Sequence, residues 1–206
     1  MNNTNKGKFI VLEGVEGVGK STQAAILAEG LKRRGINAVV TREPGGAPLG
    51  EKLRELILDP AYDEDAVTEL FMYSAARRVH LNEVVIPALE SGTTVICDRF
   101  FYSTVAYQGY GRGLDVDFIR AVNRKTVSPL TVDIALFLDL EPREGFRRKG
   151  GADCGDRLER EKMEFFDRVY VGFTEMADGG ELKRIDARGN IEQIARAIMN
   201  EVEKIL

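Results

Sequence analysis

Cysteine is nearly absent, with two in 206 residues, and their placement excludes a disulfide framework. Cys97 sits in an apolar run and Cys154 in a glycine-rich stretch, with no metal-ligand spacing between them, so both read as free thiols. There is one histidine, His80. It gives no Ser-His-Asp triad, because no serine has the setting of a nucleophile elbow, and it reads as structural. No apolar run approaches the roughly 20 residues that cross a bilayer. The polar start, Met1 to Lys8, lacks the apolar stretch of a signal peptide. A cytoplasmic protein without a membrane partner is expected. Basic excess is missing too: 29 Lys and Arg stand against 33 Asp and Glu, a net charge of -4. No nucleic-acid partner is expected, and any affinity for phosphate has to be local.

What remains is ordinary globular material, 44% hydrophobic and 30% charged, long enough for one large domain with a substantial core. One complete motif stands out, Gly14-Val15-Glu16-Gly17-Val18-Gly19-Lys20-Ser21, a G-x-x-x-x-G-K-[ST] phosphate-binding loop continuing into Thr22. An apolar run, Phe9 to Leu12, precedes it as a strand. Ala24, Leu27, Ala28 and Leu31 follow at helical spacing. That context is what the motif requires. Glycines let backbone N–H groups turn inward on an anion, and the helix beginning near Lys20 aims its positive end at the same place. Lys20 reaches the outer phosphates, and Ser21 is placed to ligate Mg²⁺.

Apolar runs recur at Ala38 to Thr41, Thr93 to Asp98, Ile134 to Leu140 and Leu182 to Ile185. Helical patterns lie between them, so the expected fold class is α/β with a mainly parallel sheet. Gly35 is a candidate cap for the first helix. Further helices are expected over Leu49 to Leu58, Asp65 to Glu90 with a kink or break at Pro87, Val116 to Thr126, Arg160 to Ala177 and Ile191 to Leu206. Neither a repeat nor a linker is visible, and one domain is expected.

Three further stretches can carry chemistry. Thr41-Arg42-Glu43-Pro44-Gly45-Gly46 ends the second strand and should face the ligand crevice of a parallel sheet; on local grounds it is equally a solvated turn. Asp98-Arg99 ends the third strand, where Asp98 can hold Mg²⁺ or its waters and Arg99 can bind phosphate; chance pairing is the alternative. Arg143, Arg147, Arg148, Lys149, Arg157 and Arg160 flank a Gly150-to-Gly155 centre. That run reads as a solvated face or as a cationic lid over about residues 143–160, hinged on Gly150, Gly151 and Gly155.

Taken together the motifs resemble the bacterial thymidylate kinases, P-loop nucleoside monophosphate kinases. The resemblance runs from the first strand to about Tyr170. It is carried by Phe9 to Gln23, by T-R-E-P-G-G at Thr41 to Gly46, by A-A-R-R-V-H at Ala75 to His80, by D-R-F-F-Y-S-T-V-A-Y-Q-G-Y-G-R-G at Asp98 to Gly113, and by D-R-L-E at Asp156 to Glu159. It implies a five-stranded parallel sheet surrounded by helices, a homodimer, and transfer from ATP to dTMP with Mg²⁺, giving ADP and dTDP. It implies ATP binding by Gly14 through Thr22 together with Arg148, and Mg²⁺ on Ser21 and Asp98. Tyr73 stands where the family usually has a Phe stacking on thymine. Arg77 would bond the base beside Thr104 and Gln108, and Tyr107 would lie under the sugar. Arg42, Arg54 and Arg99 would contact phosphate, with Glu16 and Glu43 near the sugar and the transferring phosphates. The position of Gly17 divides the family, some members carrying Arg there and others supplying an arginine from the lid. With glycine here, the catalytic charge is expected from Arg157 first and Arg147 next, with Arg99 behind them.

Two other readings stay open: a kinase of this fold acting on another pyrimidine nucleotide or a nucleoside, and a non-catalytic ATP- or GTP-binding protein. Against a GTP switch, no N-K-x-D follows a later strand and no D-x-x-G stands at the third, where the chain has Asp98-Arg99-Phe100-Phe101.

Overall fold

The computed structural model describes residues 6–150, 157, 158 and 160–206. Cys154, Asp156, Glu159 and the hinge candidates Gly151 and Gly155 lie outside them. The five apolar runs are strands, β1 (Phe9–Glu13), β2 (Ala38–Arg42), β3 (Thr94–Asp98), β4 (Ile134–Asp139) and β5 (Lys183–Asp186). They form an all-parallel sheet in the order β2-β3-β1-β4-β5.

Alternation along β1 builds two cores. Phe9 and Val11 join the larger cluster with Phe137, Phe165 and Phe173, while Ile10 and Leu12 join Leu27, Leu31 and Ile198 on the other face. A central strand covered on both sides needs a continuous apolar run, and that is how β1 reads. The strand order reverses at β1, so the loops after β1 and β3 open on the crevice at the carboxyl ends of the strands.

Helix α1 (Lys20–Arg33) follows the phosphate loop. It closes through Gly35 at φ 76°, with Gly35 N–H donating to the Lys32 carbonyl and Ile36 N–H to that of Leu31. That is the paired-bond end which a left-handed residue permits. Helix α2 (Pro48–Leu58) has proline in its first turn, where a missing N–H costs nothing. The expected helix to Glu90 is present in three pieces: α3 (Ala66–His80), a π-helical turn (Leu81–Val85) and α4 (Ile86–Glu90). Pro87 therefore does not break the helix. The wider turn shifts the ladder just where the proline ring would meet the carbonyl of the preceding turn.

Two helical stretches were not anticipated. Phe101–Thr104 is a short helix, α5, continuing as a π-helix over Val105–Gly111. Within the arginine-rich stretch, Pro142–Lys149 is helix α7, in which Glu144 pairs with Arg147 and Arg148 one turn on. Helices α6 (Val116–Val127), α8 (Met163–Asp178) and α9 (Ile191–Val202) complete the layers. Helix α8 begins three residues later than its sequence pattern, after a turn at Arg160. No helix among the described residues is long and apolar enough to cross a membrane.

Candidate active site

The phosphate loop is shaped by glycines at φ 141° (Gly14), 72° (Gly17) and 94° (Gly19), values that L side chains rarely adopt. Gly17 is also pressed against α7: a Cβ there would lie 1.9 Å from the Gly145 carbonyl oxygen. The loop thus has no room for a side chain at residue 17, and an arginine could not be supplied from that position. Lys20 is buried, its ammonium donating to the Gly14 carbonyl (3.0 Å) and that of Val15 (2.8 Å). Burial first, then the Arg99 charge, pull its pKa down to about 8.

Three cavities adjoin this loop. The middle one is lined by Gly17, Gly19 to Thr22, Arg42 and Asp98. In its wall the Ser21 hydroxyl donates to Asp98 at 2.6 Å, so the two expected Mg²⁺ ligands are neighbours. The described residues contain no group of three or more His, Cys, Asp or Glu that could cage a metal alone. A hydroxyl, a carboxylate, waters and phosphate oxygens are the hard-oxygen set that Mg²⁺ takes.

A second cavity is lined by Tyr73, Arg77, Phe100, Thr104, Tyr107 and Gln108, with Leu58, Pro44, Ser103 and Leu158. Glu16, Glu43, Arg54, Arg99 and Lys149 line both, forming a shared charged wall. A third lies on the other side of the loop between Arg148 and the turn into α9, touching Gly189, Asn190 and Ile191. Arg148 is pinned there by the carbonyls of Ala187 and Arg188.

Arg99 joins these parts. Its backbone is left-handed, φ 70°, alone among the described non-glycine residues, a conformation that costs energy and collects at functional sites. Its guanidinium donates to the Gly14 carbonyl (2.9 Å), the Ser103 hydroxyl (3.2 Å) and Glu16 (2.5 Å), and stands 5.1 Å over the Tyr107 ring. Burial opposes the charge on Glu16, but Arg99, Lys20 and Lys149 hold its pKa down at about 2. The Tyr107 hydroxyl donates to the same carboxylate at 3.3 Å.

Glu13, fully buried below the turn, accepts from the N–H groups of Phe100 (2.8 Å) and Ser103 (3.2 Å) and from the Ser103 hydroxyl (2.6 Å). Burial pushes its pKa up to about 7 against these bonds and the Arg99 charge. Between its ordinary 4.5 and about 7, the folded state holds a proton that the unfolded chain has lost, so stability falls as pH rises through that window. Glu13→Gln mimics the protonated form. Relative to the variant, wild type should lose about 3 kcal/mol between pH 4.5 and 7 at 1.36 kcal/mol per unit. Urea unfolding of both proteins at pH 4 and 8 measures it; parallel curves would refute the assignment.

Arg77, expected to bond the base beside Thr104 and Gln108, lines the same cavity as both of them and is also held by buried partners. It is 2% exposed, and Nε donates to Glu43 (2.7 Å), Nη1 to Asn123 (3.1 Å) and Nη2 to Thr104 (2.8 Å). These bonds take three of a guanidinium's five N–H groups, in a residue that lines the cavity. His80 supports the same carboxylate, with Nδ1 3.0 Å from Glu43 and Nε2 2.7 Å from the Thr41 hydroxyl, a structural place as expected. Arg77→Ala should cost about 3–5 kcal/mol of stability, because it strips a partner from a buried carboxylate. A melting temperature unchanged from wild type would contradict this.

The lid arginines are dispersed. Arg147 pairs with Glu144 on an exposed face. Arg157, between helices α2 and α3, donates to the Ile57 carbonyl (3.0 Å) and pairs with Glu64 and Glu69. Neither lines the phosphate cavity. Arg42 does, while bonded to Glu51; Arg54 does, while donating to the Pro44 carbonyl.

Sequence reasoning missed Ser103, although it lies inside a quoted motif, and gave Lys149 no role beyond its cluster. The Gly189–Ile191 turn carried no motif except the Asn190/Gln193 capping box that starts α9. Cys97 is buried and unpaired in β3.

A family model for thymidylate kinase matches residues 12–198. The thymidylate kinase of Psychrobacter sp. (strain PRwf-1) is 47% identical over 205 residues, 97% of this chain and 99% of that protein. That of Synechococcus sp. (strain JA-3-3Ab) is 49% identical over 199 residues, 95% of each. The crystal structure of thymidylate kinase from Ehrlichia chaffeensis superposes with a TM-score of 0.79 at 33% identity, covering 96% of this chain and 99% of that one. Matched along nearly its whole length in sequence and in fold, the chain belongs to the thymidylate kinase family.

Proposed function

We propose that the chain, as one kinase unit, carries out its family's reaction, ATP-dependent phosphorylation of dTMP to dTDP, by direct transfer across the wall shared by its two phosphate-facing cavities. The observation that carries this is the wall itself: Glu16, Glu43, Arg54, Arg99 and Lys149 face both cavities. One cavity is the phosphate loop's own, and the other has the aromatic and amide lining of a base site. ATP would place its adenine by Arg148 and the turn before α9, with its β- and γ-phosphates on the N–H groups of the loop and on Lys20. Ser21 and Asp98 would hold Mg²⁺, which would supply positive charge against the phosphates.

dTMP would stack its base by Tyr73 and Phe100 and set its sugar on Tyr107. Arg54 and Arg99 would hold its phosphate against the loop, with Arg42 reaching in from the donor side. An oxygen of that phosphate attacks the γ-phosphorus, and the bond to the β–γ bridging oxygen breaks, leaving ADP and dTDP. No enzyme nucleophile is needed, so positioning and positive charge are the whole demand on the protein.

The test is ADP release from ATP with no acceptor, dTMP, dUMP, UMP, CMP or thymidine, and with GTP as donor. Selective turnover of dTMP is expected; equal turnover of UMP or CMP, or none at all, would overturn the reading. The same reading makes the protein a cytoplasmic homodimer. Support for the dimer comes from Val67, Phe71 and Phe118, exposed apolar side chains on α3 and α6 with the two Phe rings 6.4 Å apart, a face suited to a second copy. A monomer in sedimentation at micromolar concentration would refute it.

A further inference from the structure

Helix α3 carries a carboxylate that the reaction does not call on. Glu69 is 1% exposed, and both of its oxygens are taken. Oε1 accepts from the Gln108 amide nitrogen at 2.6 Å and from Arg112 Nε at 3.3 Å. Oε2 accepts from Arg112 Nη2 at 3.2 Å and from Arg157 Nη2. Burial raises the pKa of Glu69, but the bonds and charge of Arg112, with Gln108 and Arg157, outweigh it and hold it below the usual range. An ionised carboxylate only accepts. Gln108 must therefore turn its NH₂ toward Glu69, and the end of the amide left for the base cavity it lines is the carbonyl oxygen.

We infer that Glu69 is a positioning residue for base selection: by fixing the amide of Gln108 with its carbonyl toward the cavity, it makes the site accept an N–H from the base edge. This rests on the reading that the cavity takes the base of a nucleoside monophosphate. An acceptor from Gln108 beside the spare N–H donors of Arg77 matches an imide, in which N3–H stands next to a carbonyl. It opposes cytosine, whose N3 is an acceptor and whose neighbouring group is an amine. The discrimination is thus set one residue away from the base, by a group that does not line the cavity.

Glu69→Gln should reverse the arrangement. Neither Arg112 nor Arg157 can accept a hydrogen bond, so the new amide keeps its oxygen on the side of Arg112 Nη2 and Arg157 Nη2 and turns its NH₂ to Gln108, at the cost of the longer bond from Arg112 Nε. Gln108 then flips to accept, and its own NH₂ faces the cavity. The kcat/KM ratio of dTMP to dCMP should fall about 10- to 100-fold, the effect of one buried polar group left mispaired. It should narrow and not invert, since Arg77 still disfavours the amine. KM for ATP should stay within about two-fold of wild type. The exchange Glu69→Gln with Gln108→Glu restores an acceptor at residue 108 and should return the dTMP preference.

If dTMP and dCMP activities fall together in Glu69→Gln and the ratio holds, the carboxylate only packs the core, and the inference is overturned. Should the single variant not fold, the double exchange decides: retained dTMP preference supports the inference, and lost preference overturns it. Calorimetric binding of dTMP and dCMP to the same proteins repeats the comparison without turnover. A wild type that binds dTMP selectively yet transfers no phosphate would sink the functional reading and leave the role of Glu69 standing.

Discussion

Lys20→Ala should lower turnover about 10²–10³-fold, the scale set by losing one charged or hydrogen-bonding group that acts on a transition state. The sheet and its helices should remain folded. The lysine has a second task, which its motif does not reveal. With its ammonium bonded to the carbonyls of Gly14 and Val15 and only 7% of the residue exposed, it braces the loop from within. Truncation leaves those two carbonyls short of a donor, so the melting temperature should fall as well, consistent with about 1 kcal/mol per lost bond. Circular dichroism separates loss of the loop's charge from loss of the fold. Single-turnover rates at saturating ATP and dTMP then measure the chemical step. A well-folded variant turning over within a few-fold of wild type would show that the phosphates sit elsewhere.

The sheet was legible because β1, β3 and β4 are buried on both faces and so read as unbroken apolar runs between helical patterns. The phosphate loop was legible because its chemistry is local: glycines, a lysine and a hydroxyl at fixed spacing do most of their work within one turn. Other features are set by contacts far apart in sequence and leave no local trace. Arg77 is one, committed to Glu43, Asn123 and Thr104 from three separate stretches of the chain. Glu69 is another; in sequence it is one acidic residue in the first turn of a helix, and only the fold surrounds it with Gln108, Arg112 and Arg157. The helix over Pro142–Lys149 was hidden by its own charge. Its burial is confined to Pro142, Gly145 and Phe146, too few apolar positions for a periodicity to register.

The cation expected to matter most is Arg99, and replacing it by Ala should slow transfer about 10³-fold or more. The sequence ranked Arg157 and Arg147 ahead of it, on the argument that a glycine at residue 17 obliges the lid to supply the charge. The glycine is explained differently by the fold, which leaves no space for a Cβ beside Gly145. Arg157 is engaged by Glu64 and Glu69 on the base side, and Arg147 by Glu144; to act on the phosphoryl group, either would have to exchange these partners. Arg99 already lines both cavities. Its partner Glu16 is held ionised by it, so phosphate oxygens arriving in the wall would compete for a guanidinium that is fixed at its base by the Gly14 carbonyl and Ser103. The left-handed backbone at Arg99 and the buried Glu13 beneath the turn aim that side chain before any substrate binds, which is where electrostatic catalysis gains most. Arg99→Lys keeps a charge but loses the fork that spans Gly14, Ser103 and Glu16, and should recover little of the rate. The measurement is single-turnover transfer in Arg99→Ala, Arg99→Lys, Arg147→Ala, Arg148→Ala and Arg157→Ala, with dTMP affinity titrated in each. If Arg157→Ala loses more rate than Arg99→Ala while keeping its dTMP affinity, the charge comes from the lid after all.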